Sequence, residues 1–98
     1  MLVSQENQEI RSALFNYEKR IDEMHVEINK YRQGIEHKIP DWERLEMDLL
    51  QFSRRKINDL QLSKHLERIQ YKFQNRKKIW LRWIEEYHHL PRESEENP

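Results

Sequence analysis

The chain reads as all-α: an antiparallel coiled-coil helical hairpin whose second arm is broken or bent near residues 57–63, giving two to three helices that assemble into a helical bundle. Three observations predict it. Apolar residues recur at spacings of four and three along both halves of the chain, and only one Gly and three Pro occur. Apolar residues, at 36 %, are matched by 37 % charged residues. Such a balance suits elongated helices that each bury one stripe and solvate the rest. Sheets and tight turns would need more Gly and Pro.

The first helix is expected over about 4–33. From Ile10 onward the seam has Leu14, Ile21, Ile28 and Ile35 at a positions, with Ile10, Tyr17, Met24 and Tyr31 at d. Asn7 continues it backwards as a polar a residue, read as a fraying first turn rather than a register-fixing pair. Gly34, the single Gly, stands where a left-handed cap residue would end this helix. A connection through Pro40 is short enough to return the chain antiparallel.

Asp41 opens a second helix over about 41–56, with Trp42, Leu45, Leu49 and Phe52 in one phase. A third helix over about 59–90 holds another phase, through Leu62, Leu66, Ile69, Phe73, Arg76, Trp80, Trp83, Tyr87 and Leu90. Between them lies KINDLQLS, where Asn58, Asp59 and Ser63 can each cap a helix. Length also favours a break. A continuous second arm would reach roughly 70 Å against roughly 45–50 Å for the first helix, at 1.5 Å per residue. Residues 1–90 therefore form one helical domain, and Pro91 introduces an acidic tail, 91–98, expected to be disordered.

Composition excludes several classes. Leu, Ile, Val and Phe supply 24 of 98 residues and the net charge is zero, so the chain should fold. It has no Cys, hence no disulfide and no thiolate metal site. Nothing in MLVSQENQEI resembles a signal peptide and no apolar run approaches membrane length, so a cytoplasmic protein without membrane contact is expected.

Charge is distributed in blocks. Residues 1–53 sum to −4, residues 54–82 to +8 and residues 83–98 to −4. Within the basic block, YKFQNRKKIWLRW interleaves cations with aromatics, a pattern of nucleic-acid contact. Arg54, Arg55, Lys56, Lys72, Lys77, Lys78 and Arg82 are the candidate contacts for such a role. The competing reading, and the preferred one, pairs this basic segment with the acidic first helix across an antiparallel hairpin; overall neutrality fits it. Phe73-Gln74-Asn75-Arg76 resembles the homeodomain recognition helix, but over four residues only, and Lys72 stands where that family places a core Trp. Ile69-Gln70 likewise resembles the start of an IQ motif, which the residues at Gln74, Asn75 and Ile79 do not continue. Neither family is assigned.

The last turns of the third helix are apolar beyond the seam. Ile79, Trp80, Trp83, Ile84 and Tyr87 are the candidate interface, since Trp and Tyr dominate contact energetics. A homodimer is expected, with Arg76 held by an acid of the first helix or of the second copy, and a protein client is a further possible partner. Asp22-x-x-His25 and Glu85-x-x-His88 have metal-bridging spacing, but the heptad phase turns both pairs outward. No metal, cofactor or catalytic constellation is expected. The sequence therefore predicts a non-enzymatic interaction or scaffold module, with a nucleic-acid-associated protein as the alternative.

Overall fold

The computed structural model describes residues 2–89. Its described residues form three helices, α1 (Leu2–Arg32), α2 (Trp42–Ser53) and α3 (Leu60–His89). Leu90 and the 91–98 tail lie outside the described residues.

Each boundary follows from local chemistry. Gly34 adopts φ +81°, and the Gly34 and Ile35 N–H groups donate to the carbonyls of Tyr31 and Lys30 at 3.0 and 2.9 Å. This pair of bonds is a Schellman cap, which ends α1 and turns Ile35 out of the seam. Ile35 is 63 % exposed, so the heptad position expected for it is not used. The Asp41 carboxylate accepts from Arg44 N–H at 3.1 Å and starts α2. Of the three candidate caps at the break, Asp59 acts. Its carboxylate accepts from Leu62 N–H at 3.0 Å, and its carbonyl from Ser63 N–H at 2.9 Å.

The break at 54–59 reverses the chain a second time. α2 runs antiparallel to α1, with Phe52 against Tyr17 and Arg55 against Glu6. α3 then runs parallel to α1: Glu18 meets His65, Asp22 meets Lys72 and Arg76, His25 meets Trp80, and Tyr31 meets His88. The antiparallel hairpin is thus α1 with α2. The basic α3 pairs with α1 in parallel and not across an antiparallel hairpin as the charge blocks predict, because the second reversal restores the direction of α1. A short α2 cannot extend the second arm. Its 12 residues measure about 18 Å, against about 45 Å for α1 and α3.

The core follows the predicted seams. Ile10, Leu14, Ile21 and Ile28 of α1 pack with Leu45 and Leu49 of α2 and with Leu62, Leu66, Ile69, Phe73 and Trp80 of α3. No polar or charged residue is buried among the described residues. Burying each large apolar side chain contributes roughly 1.5–3 kcal/mol of transfer free energy, and this term holds the three helices together.

Candidate functional site

Trp80 organises the far end of the bundle. It is fully buried, meets Phe73 edge-on at 5.7 Å between ring centroids, and its indole N–H donates to His25 Nδ1 at 3.0 Å. Trp80 is therefore a core residue of the single chain and not an interface anchor, which corrects its placement among the candidate interface residues. The heptad could not show this, because a seam position looks alike whether one chain or two surround it.

Its four companions differ. Ile79, Trp83, Ile84 and Tyr87 are all half-buried. The Trp83 ring lies 5.0 Å from the His25 ring, and the Arg32 guanidinium sits 4.3 Å over its face. The Tyr87 ring meets Tyr31 at 5.0 Å, while the Tyr31 hydroxyl and His88 Nε2 share a hydrogen bond at 2.8 Å. His25 and His88 are thus turned towards the facing helix, not outward as the heptad phase indicates. Parallel pairing of α1 with α3 brings them across; a single-helix register cannot anticipate that. Among the described residues no group of three or more His, Asp or Glu is placed to hold a metal ion.

The uncovered end has a geometric origin. Lys77 Nζ lies 5.5 Å from the ring centroid of Trp42, the first residue of α2. α2 therefore begins level with Lys77, and roughly three further turns of α3 have α1 alone as helical neighbour. Leu81, one turn beyond Lys77 on the same side of α3, is 44 % exposed, whereas Val26, two residues before the buried Ile28, stands on the outward side of α1.

Electrostatics sorts the basic segment into two sets. Lys72 and Arg76 reach the Asp22 carboxylate at 3.0 and 3.6 Å, so an acid of α1 holds Arg76 as expected. Lys77 reaches Glu46 of α2 at 2.6 Å, and Arg55 lies 3.8 Å from Glu6. Three of the nominated nucleic-acid contacts, Arg55, Lys72 and Lys77, are thus engaged within the chain. Arg54, Lys56 and Lys78 form no ion pair among the described residues, and neither do Lys64 and Arg68, which the sequence reading did not nominate. Arg82 faces only Glu86, one turn along, at 3.9 Å with both side chains more than half exposed. Within α3 the signal that could have separated the sets is position relative to the seam, since Lys72 and Lys77 flank it and Lys64, Arg68 and Lys78 stand opposite.

The α1–α2 contact carries its own polar lock. Arg20 donates to Asp48 at 3.0 Å and Arg44 reaches the same carboxylate at 3.3 Å. The Arg20 hydrogen bond, outweighing some burial, holds the Asp48 carboxyl below its ordinary range. The Tyr17 hydroxyl donates to the Asp48 carbonyl at 3.2 Å, and burial raises its pKa.

No helix among the described residues is long and apolar enough to cross a membrane. Compared with protein-family models, curated proteins and solved structures, the chain matches none.

Proposed function

We propose that this chain is a non-enzymatic helical interaction module that pairs with a second copy of itself through the end of the bundle that α2 leaves uncovered. One observation carries the reading. α2 begins level with Lys77, and one turn beyond it on the same side of α3 Leu81 is exposed, with Ile84 and Tyr87 half-buried. Covering those side chains would add roughly 25 cal/mol for each Å² of apolar surface removed from water. Two-fold self-association is the commonest way soluble chains cover such a face. Trp83 and Tyr87 are residue types that concentrate binding energy. The rings already held by Arg32, His25 and Tyr31 cost little further ordering on association.

Sedimentation equilibrium of the full chain at micromolar concentration tests this. The expected result is the mass of two chains, reduced to one by Leu81→Glu with the thermal melt of the dilute protein unchanged. A mass of one chain for the unaltered protein refutes the reading.

A further inference from the structure

The interaction-module reading leaves the outward face of α3 without a role, and that face is ordered. Lys64, Arg68, Tyr71, Asn75, Lys78 and Arg82 follow one another at spacings of four, three, four, three and four, and all six are exposed. Each stands two residues after a seam position, about 200° round the helix at 100° per residue. α1 and α2 both pack on the opposite side, so the stripe forms a convex ridge along the bundle.

Its charge is not consumed internally. Lys64, Arg68 and Lys78 form no ion pair among the described residues, and Arg82 shares only the solvent-screened contact with Glu86. The arrangement along the ridge is specific. Two cations occupy each end, and the inner pair, Arg68 and Lys78, are about 15 Å apart along the axis at 1.5 Å per residue. Between them on the ridge stand two uncharged residues, Tyr71 at 71 % exposure and Asn75, which border a shallow depression whose other walls are the cations Arg68, Lys72 and Arg76 and one acid, Glu67.

We infer that this ridge binds double-stranded nucleic acid, with α3 laid into the major groove of a DNA duplex. That groove is about 12 Å wide, admits an α-helix, and has phosphates on both walls. Cations at the ends of the ridge reach those walls, while Tyr71 and Asn75 face the base edges, where an Asn amide can both donate and accept. A single strand is a poorer fit. Such sites are grooves with several stacking aromatics, and this face is convex with Tyr71 alone. An acidic protein surface would match the charge, but gives no reason for a neutral, hydrogen-bonding centre between cationic ends.

The inference stands apart from self-association, because the stripe and the uncovered apolar end are different surfaces. Binding of the full chain to a mixed-sequence 24-base-pair DNA duplex, measured by fluorescence anisotropy from 50 to 200 mM salt, tests it. With four phosphate contacts the slope of log K against log salt is about −3.6, a loss of roughly a hundredfold over that range. Lys78→Gln with Arg82→Gln should weaken binding at least tenfold and flatten the slope by about 2. Arg54→Gln with Lys56→Gln removes equal charge from the exposed α2–α3 connection and should change affinity less than twofold. Circular dichroism of both double variants should match the parent. Equal losses for the two variants, tighter binding to the single strand, displacement by polyglutamate at equal charge, or no binding at 50 mM salt would each overturn the proposal.

Discussion

The indole N–H of Trp80 donates to Nδ1 of His25 at 3.0 Å, tying a wholly buried side chain of α3 to α1. Because Nδ1 accepts, the neutral ring carries its proton on Nε2, and protonating Nδ1 would set two donors against each other. Burial, with Arg76 adding to it and Asp22 partly offsetting, lowers the His25 pKa from its ordinary 6.5. A folded pKa below the unfolded one means this contribution is complete above pH 6.5 and is lost as pH falls through the folded value. Thermal melts from pH 7.5 to pH 5 should therefore show a loss in the parent that His25→Gln, which keeps an acceptor, reduces. Equal pH dependence in the two proteins would contradict it. His25→Ala at pH 7.5 should cost about 1–3 kcal/mol, the expense of leaving the Trp80 N–H unpaired.

The two tryptophans of α3 that lie three residues apart should respond differently. Trp80→Ala empties a fully enclosed site and should cost about 3–5 kcal/mol in chemical denaturation. Trp83→Ala removes a half-buried ring stacked by Arg32 and should cost about half as much or less. Equal costs would show that the far end of the bundle packs differently.

Ile21 and Ile28 are fully buried, so Ile21→Asp or Ile28→Asp should unfold the protein outright. Lys19→Asp, on the exposed side of the same helix, should stay within about 0.5 kcal/mol of the parent. Circular dichroism at 25 °C separates these outcomes.

The connections should be sensitive at their capping positions. Asp59→Ala removes the cap of α3 and should cost about 1 kcal/mol. Gly34→Ala should cost a similar amount although a Cβ there would meet nothing within 4 Å, because φ +81° strains any other side chain. Gly34→Asn, better tolerated in that conformation, should recover part of the loss in urea titrations.

Below neutral pH a second loss is expected from Asp48. Its carboxyl is held below the ordinary 3.8 chiefly by the Arg20 hydrogen bond, so its contribution is present above that value and disappears as pH falls below it. Asp48→Asn should flatten the acid limb of the stability profile below pH 4 and leave the limb between pH 5 and 7 in place.

Periodicity was enough to place the seam residues from Ile10 to Tyr31, because burial of one stripe is a local property of a helix, and residue type marked the Gly34 and Asp41 caps, while two helices or three stayed open in the sequence. It also exposed the break, since KINDLQLS interrupts the 4,3 phase. What a one-dimensional pattern does not contain is direction. A bent arm and a reversed arm have the same spacing, and only the packing of α1 on α3 made that pair parallel. From that single decision follow the His25–Trp80 bond, the Tyr31–His88 pair and the Asp22 contacts with Lys72 and Arg76. The same decision sorted the basic segment: cations flanking the seam met acids of α1 and α2, and those opposite it stayed in water. Whether a charge is neutralised depends on what lies across from it, and that is fixed in three dimensions.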